Sequence, residues 1–360
     1  MRRALDLASK GLGQTAPNPM VGAVVVRDGV VVGEGFHARY GAAHAEVAAL
    51  RAAGDKARGA TLYVTLEPCR HTGKTPPCTD AIRAAGVARV VAAVADPTAE
   101  AGGGAGVLRD AGIVVTMGVL EAEARELNAP FFHAPHGESP WTTLKLAVSL
   151  ETAIAGRRGS TSHLTGPVAR RAVHVLRSGH DAIAVGVGTV LADNPQLTVR
   201  DVPLPRVPLT RVIFDRHLRT PPDAHVVRTA GKTPTIIITL TTSSSHARPL
   251  RTAGVRLIAA PGLQEGLQAL RAEGIRSLLV EGGATIAAAM LTAGLAHRLT
   301  IFQAPVMLGP DALHAFEGLS AAGLAELERL PVLERTALGP DLMTTYALDR
   351  AIRTTPPASP

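Results

Sequence analysis

The sequence predicts an α/β protein of two domains. Three observations carry that expectation. β-rich runs alternate with helical stretches along both halves of the chain, the pattern of layered α/β architectures. At 360 residues the chain exceeds what one hydrophobic core usually serves. A polar, turn-rich stretch, Pro135-His136-Gly137-Glu138-Ser139-Pro140, interrupts the alternation and marks the boundary between domains at 1–138 and 139–350.

In chain order, Arg2–Lys10 reads as an amphipathic helix that stops at Gly11 and Gly13. Val21–Val26 and Val30–Gly35 are β-rich runs around Asp28-Gly29, a strong hairpin signal. A helix over Ala45–Ala53, a strand over Thr61–Leu66, a helix near Pro77–Ala85 and a strand over Arg89–Ala95 follow. The glycine-rich segment Asp96–Gly106 is a loop. After it come a helix, a short strand at Ile113–Thr116 and a helix over Glu121–Asn128. Beyond the boundary, strands are expected at Thr142–Ser149, Ala182–Val187, Arg211–Phe214, Thr235–Leu240, Val255–Ala259, Ser277–Val280 and Arg298–Phe302. Pro167–Ser178 and most remaining gaps read as helices, so this half is a mostly parallel sheet. The tail, 351–360, is expected to be disordered.

Composition narrows the function classes. Aromatic residues are only 3% of the chain, too few for the stacking platforms of single-stranded nucleic-acid binders. The net charge of +7 comes from scattered Arg and Lys rather than a basic run, which points to phosphorylated small molecules and not to a nucleic acid. No stretch approaches the roughly 18 apolar residues needed to cross a bilayer, and the start lacks a signal-peptide core, so a cytoplasmic protein with no membrane partner is expected. Reduced thiols are the rule in that compartment, which makes Cys69 and Cys78 candidates for metal ligation rather than for a disulfide.

The strongest chemical signal is His44-Ala45-Glu46 opening a helix, followed by Glu67-Pro68-Cys69 and Pro76-Pro77-Cys78 at element ends. An imidazole and two thiolates suit Zn²⁺, and three protein ligands leave a fourth position for water, the mark of a catalytic rather than a structural zinc. Such an ion lowers the pKa of its water to about 7. Deamination also needs a proton moved from the attacking water to the leaving amine, and Glu46, close to His44 but not required as a ligand, is the candidate shuttle. Zinc nucleobase deaminases carry His-x-Glu followed by Pro-Cys-x-x-Cys. Here eight residues separate the two cysteines.

That longer insert, Thr65-Leu66-Glu67-Pro68-Cys69-Arg70-His71-Thr72-Gly73-Lys74-Thr75-Pro76-Pro77-Cys78, closely resembles the deaminase domain of bifunctional riboflavin-biosynthesis proteins of the RibD type. Ala16-Pro17-Asn18-Pro19-Met20-Val21-Gly22 does too. The resemblance implies a cytidine-deaminase-like α/β/α domain acting on a pyrimidine nucleotide, with Asn18, His71, Lys74 and Asp96 touching the base and ribose phosphate. One position departs: Thr98 stands where the family carries Asn two residues after the Asp96 equivalent, and a hydroxyl cannot make both hydrogen bonds of an amide.

From Trp141 onward the chain resembles the reductase half of the same proteins, whose fold is similar to dihydrofolate reductase. The matching pieces include Leu144-Lys145-Leu146-Ala147, the run from Asp181 to Pro195, Leu197-Thr198-Val199-Arg200, and Leu279-Val280-Glu281-Gly282-Gly283. The resemblance implies NADPH as hydride donor and reduction of a ribosyl group to ribityl. It places Lys145 and Asp193 at the reacting sugar, Arg177 and Arg200 on the substrate phosphate, and Gly186, Thr189, Glu281, Gly282 and Gly283 at the cofactor. A strand entering Glu281-Gly282-Gly283 and then a helix would let backbone amides approach a phosphate. Two departures stand out: Glu151-Thr152-Ala153 where the family reads Asp-Gly-Lys, and His163 where it has Trp. The paired activities make a homo-oligomer plausible. Two other readings stay open: a nucleic-acid deaminase acting on tRNA, and an active deaminase joined to an impaired reductase.

Overall fold

The computed structural model describes residues 1–159, 163–316, 319 and 329–348. The tail at 351–360 lies outside them. The chain divides into one unit of Met1–His136 with Pro205–Val207, and another of Gly137–Leu204 with the chain from Pro208 onward. The division expected from sequence put Pro205–Val207 with the second half. These residues cluster with the first because the Arg206 backbone N–H donates to the Gly13 carbonyl at 2.8 Å and its guanidinium donates to the Ala16 carbonyl.

The first unit runs α1 (Arg2–Ser9), β1 (Gly22–Arg27), β2 (Val30–Phe36), α2 (Ala45–Ala53), β3 (Thr61–Val64), α3 (Cys78–Ala84), β4 (Arg89–Ala92), α4 (Gly104–Asp110), β5 (Val114–Met117), α5 (Glu121–Leu127) and α6 (Ala129–His133). Its sheet has the order β2-β1-β3-β4-β5. β1 is antiparallel to both neighbours, while β3, β4 and β5 run parallel. Along β1 the side chains alternate between faces, as strand geometry requires. Ala23 and Val25 join the core with Ala49, Leu62 and Ile82; Val24 joins Ala4 and Leu7 of α1 on the other side. α2 lies hard against β2. A Cβ at Gly33 or Gly35 would fall 2.3 or 2.4 Å from the Ala49 backbone, so only hydrogen fits, and this seating fixes where the N-terminus of α2 points.

The second unit runs β6 (Trp141–Val148), β7 (Ala153–Ala155), α7 (Pro167–Ser178), β8 (Ala182–Gly186), α8 (Val187–Asp193), β9 (Thr210–Phe214), α9 (His225–Arg228), β10 (Thr235–Thr239), α10 (Ala247–Thr252), β11 (Arg256–Ala259), α11 (Leu263–Ala272), β12 (Ser277–Val280), α12 (Ala284–Thr292), β13 (Arg298–Gln303), β14 (Leu313–His314), β15 (Val332–Leu338) and β16 (Asp341–Ala347). The sheet order is β11-β10-β9-β8-β12-β6-β13-β16-β15. From β11 to β13 every pairing is parallel, and β16 and β15 then add an antiparallel hairpin at one edge. Ala182, Ala184, Val212, Ile236 and Ile238 pack into one core, and Ile183, Val185, Ile213 and Ile237 into the other. Burial on both faces explains why these strands read as unbroken apolar runs. The seven parallel strands match the expectation. The hairpin β15–β16 and the short β7–β14 pair were not expected: β15 is largely exposed, with Glu334 and Arg335 at its centre, and β7 and β14 are three and two residues long.

Within β9, Arg211 is fully buried with no acidic partner among the described residues. Its guanidinium donates to the Thr235 and Thr229 hydroxyls at 3.0 and 2.7 Å and to the carbonyls of Val226, Thr233 and Gln196 at 2.9, 2.8 and 3.4 Å. Burial lowers its pKa to about 10. Through Gln196 it ties down the loop that leads to Thr198 and Arg200.

Candidate active sites

His44 is the N-cap of α2, with extended backbone angles, and Cys78 is the first residue of α3. Cys69 follows β3 on the segment after Glu67. The three ligand atoms lie within 4.8 Å of one another. His44 Nδ1 is 3.2 Å from Cys78 Sγ and 3.6 Å from Cys69 Sγ. A tetrahedral zinc with its usual bond lengths holds nitrogen and sulfur ligands about 3.5 Å apart, so the donor set fits that ion in both identity and spacing. The Cys69 thiol is pulled down to about 4, first by the hydrogen bond from Cys78 and then, against burial, by those from His44 and the Cys78 backbone; the Cys78 N–H donates to Cys69 Sγ at 3.4 Å. The Cys78 thiol is pushed the other way, first by its hydrogen bond to Cys69 and then by burial. The other imidazole nitrogen of His44, Nε2, is 3.3 Å from the Thr75 hydroxyl, an outer contact that fixes which nitrogen faces the thiols.

Glu46, in the first turn of α2, is 4% exposed. Burial raises its carboxyl to about 7, opposed by its own backbone N–H and by His44. A carboxyl that changes charge near neutrality beside a metal-ligand triad is suited to taking and returning one proton.

The loop over this triad is organised by Glu67, itself 7% exposed. Its carboxylate accepts backbone N–H groups from Asp96 at 3.2 Å, Gly103 at 3.1 Å and Ala105 at 2.8 Å. A Cβ at Gly104 would lie 1.8 Å from the Pro68 carbonyl, so the glycine-rich stretch packs directly on the Glu67-Pro68-Cys69 segment. Thr98, the departure from the family pattern, donates its hydroxyl to Asp96 Oδ1 at 2.6 Å and its N–H to the same oxygen at 2.8 Å. It therefore orients Asp96 instead of presenting an amide.

Asn18 Nδ2 lies 3.4 Å from His37 Nε2, and the buried His37 ring packs edge-on against His44 at 5.5 Å. His71 lies 4.0 Å from Glu100 and keeps a buried, unpartnered Nδ1. Lys74 is exposed over the Tyr40 ring. Sequence reasoning missed His37, Glu67 and Thr75. The signals were present: His37 directly follows β2, seven residues before His44, Glu67 precedes Pro68-Cys69, and Thr75 lies in the inter-cysteine insert.

The second unit gathers a different cluster at the carboxyl ends of adjacent parallel strands, the usual place for a ligand crevice in such sheets. Arg177 of α7 grips Glu281, just past β12, through Nε at 2.6 Å and Nη2 at 2.9 Å, and donates Nη1 to the Thr198 carbonyl at 2.8 Å. Lys145 of β6 is 3.8 Å from the same carboxylate. Burial raises the Glu281 pKa, but Arg177 and Lys145 outweigh it and hold the group at about 2. Burial lowers Lys145. The fork of Arg177, expected on a substrate phosphate, is thus committed to Glu281, and Glu281, expected at a cofactor, is the hub joining Arg177 and Lys145. Arg200 is exposed and donates to the Gln196 and Thr198 side chains at 3.0 and 2.8 Å. Asp193 sits exposed at the end of α8, ahead of left-handed Asn194, whereas Lys145 is largely buried.

The two glycine-bearing segments expected at a cofactor lie together. Gly283 is the N-cap of α12, without a side-chain cap or an acidic first turn, and a Cβ there would touch Thr189 Oγ1 at 3.7 Å. Gly186, the N-cap of α8, faces Ile286 of α12 at 3.8 Å. Backbone amides opening a helix whose first turn carries no acid suit the phosphates of a dinucleotide such as NADPH. Of the departures, Glu151 accepts the N–H groups of Leu308 and Gly309, Thr152 adopts φ +65°, and His163 is exposed.

Residues 1–94 match the family model described as cytidine and deoxycytidylate deaminase zinc-binding region, and residues 140–343 match RibD C-terminal domain. The chain is 46% identical over 327 residues to the riboflavin biosynthesis protein RibD of Aquifex aeolicus, covering 90% of this chain and 89% of that one. To its counterpart from Escherichia coli it is 42% identical over 363 residues, with 95% and 96% covered. Among solved structures it is similar to the diaminohydroxyphosphoribosylaminopyrimidine deaminase/5-amino-6-(5-phosphoribosylamino)uracil reductase of Thermotoga maritima, with a TM-score of 0.83, 36% identity and 96% and 97% of the chains covered. Acinetobacter baumannii RibD gives 0.81 at the same identity and coverage.

Proposed function

The chain belongs to the RibD family of riboflavin-biosynthesis proteins, and we propose that its residues divide the family's two reactions between the two units. The enzyme is a bifunctional deaminase and reductase. The first unit hydrolyses an amino group from the ring of 2,5-diamino-6-(5-phosphoribosylamino)pyrimidin-4(3H)-one. The second reduces the ribosyl group of the product to ribityl with NADPH. Whole-length relatives align through both units, which a stand-alone nucleic-acid deaminase would not produce.

His44, Cys69 and Cys78 hold the zinc, which when bound supplies Lewis acidity that makes water nucleophilic near neutral pH. Glu46 takes the proton from the water oxygen as it bonds to the ring carbon. It passes that proton to the ring nitrogen as the C=N bond opens, then carries the remaining hydroxyl proton to the amino nitrogen, so that the C–N bond breaks, ammonia leaves and a carbonyl remains. Asn18, His71, Lys74 and Asp96 seat the nucleotide, with Asp96 aimed by Thr98 and the loop held by Glu67.

In the second unit Gly186, Thr189, Gly282 and Gly283 receive the cofactor, whose nicotinamide supplies a hydride. Glu281 holds Arg177 and Lys145 in place beside it. Lys145, made more acidic by burial, and Asp193 manage the accompanying proton, and Arg200 takes the substrate phosphate. A cytoplasmic homo-oligomer completes the reading; no helix among the described residues is long and apolar enough to cross a membrane.

The observation that carries the deaminase assignment is the buried Glu46 beside the three-ligand cluster. Glu46→Gln is expected to retain stoichiometric zinc while ammonia release stops. Ammonia release surviving in that variant would overturn the proton-shuttle role.

A further inference from the structure

Two cations converge on one tyrosine at the edge of the zinc site. Lys74 Nζ stands 4.3 Å from the centre of the Tyr40 ring, and the Arg206 guanidinium carbon stands 4.9 Å from the same point. Both lie within the range at which a cation is held by an aromatic face. Each is fixed by more than the ring. The Lys74 stem runs past Gly41, where a Cβ would be 3.9 Å from its Cδ. Arg206 is pinned through its backbone N–H to the Gly13 carbonyl at 2.8 Å and through Nη2 to the Ala16 carbonyl. Tyr40 is anchored in turn, its N–H donating to the Gln14 carbonyl at 3.0 Å.

No carboxylate among the described residues lies within ion-pair distance of Lys74 or Arg206. Some other cations in this unit do have one, among them Arg3 with Glu34, Arg83 with Asp80 and Arg125 with Glu121. The two ring distances allow at most about 9 Å between the charged centres, and an anion accepting charge-assisted bonds of about 2.8 Å on two sides spans a comparable gap. The corner also sits at the right place along the chain. Lys74 immediately precedes Thr75, whose hydroxyl meets His44 Nε2, and Arg206 grips the carbonyl two residues before Asn18.

We propose that Arg206 completes, with Lys74 across Tyr40, a phosphate-binding corner of the deaminase site. The phosphate is the one carried by the ribose of the nucleotide to be deaminated, so this inference rests on the deaminase reading above. Arg206 reaches the site from the segment between α8 and β9, far along the chain from the zinc ligands. A guanidinium suits the task because its donors form a planar fork that two phosphate oxygens can occupy together.

The test uses the full-length, zinc-loaded enzyme and follows ammonia release from the phosphorylated substrate and from its dephosphorylated riboside. Arg206→Ala is expected to lower kcat/KM for the phosphorylated substrate by about tenfold or more while the riboside changes by less than about twofold. Arg206→Lys is expected to fall between. Inhibition by inorganic phosphate is expected to weaken by a similar factor in Arg206→Ala. Equal losses for both substrates would show that Arg206 only props the Gly13–Ala16 loop and would overturn the proposal, as would an unchanged rate and unchanged phosphate inhibition. Wild-type enzyme releasing no ammonia from the phosphorylated substrate would instead overturn the deaminase reading, and this corner with it.

Discussion

Arg177 and Glu281, 104 residues apart in sequence, form a bidentate pair at 2.6 and 2.9 Å in the largely buried centre of the second unit. Glu281 is held at about 2, well below the ordinary 4.5. A carboxylate whose folded pKa is depressed contributes stability that is present above its unfolded pKa and is lost as pH falls toward the folded one. The wild-type thermal midpoint should therefore drop between about pH 4.5 and pH 2 through this group. Glu281→Gln should be less stable near neutrality by about 3 kcal/mol, because it leaves two buried cations short of their partner, and should show a shallower acid dependence. Thermal melts of both proteins across that window check the sign.

Thr152 stands at φ +65°, a conformation that is an outlier for a β-branched residue. Thr152→Gly should relieve strain of about 1 kcal/mol, partly offset by glycine's extra freedom in the unfolded chain. The midpoint of thermal unfolding should rise by about 2 °C. A lower midpoint would mean that the Thr152 hydroxyl contact with the Glu151 carbonyl, at 2.6 Å, outweighs the backbone strain.

Thr75→Val removes the group facing His44 Nε2 and leaves the three ligand atoms untouched. Loss of such an outer contact typically weakens metal affinity tenfold to a hundredfold. Competition with a chromophoric chelator should show zinc leaving the variant at correspondingly lower chelator concentration; equal retention would assign no orienting role to that hydroxyl.

Glu67→Gln exchanges a carboxylate that collects three backbone N–H groups for an amide with a single acceptor oxygen. The Asp96–Ala105 loop should loosen at a cost of about 2 kcal/mol. KM for deamination should rise while NADPH oxidation on deaminated substrate stays at the wild-type rate. Parallel losses in both activities would point to general unfolding instead.

Sequence made visible what local chemistry makes visible. Both cysteines flank prolines downstream of His44-Ala45-Glu46, and the apolar parallel strands announce burial on two faces. What it concealed depends on distance along the chain or on weak pattern. Arg177 and Glu281 each stood out as candidates in the sequence, yet nothing local says that one occupies the other's hydrogen bonds. Arg206 reads as an ordinary loop arginine until the fold sets it over Tyr40. β15 carries Glu334 and Arg335 at its centre and lacks clean alternation, so the edge hairpin left little trace. Thr152 betrays its strain only once its φ is known, although a missing glycine pointed to the place.

Arg211 has a different consequence. Its positive charge is satisfied by carbonyl and hydroxyl dipoles alone, none of which titrates in water at ordinary pH, and its own pKa stays near 10. The strap it makes to Gln196 is therefore indifferent to acid. As acidification loosens the Glu281 hub, the neighbouring turn that carries Thr198 and Arg200 stays tethered at its far end through Gln196, so acid frees that turn at one end only.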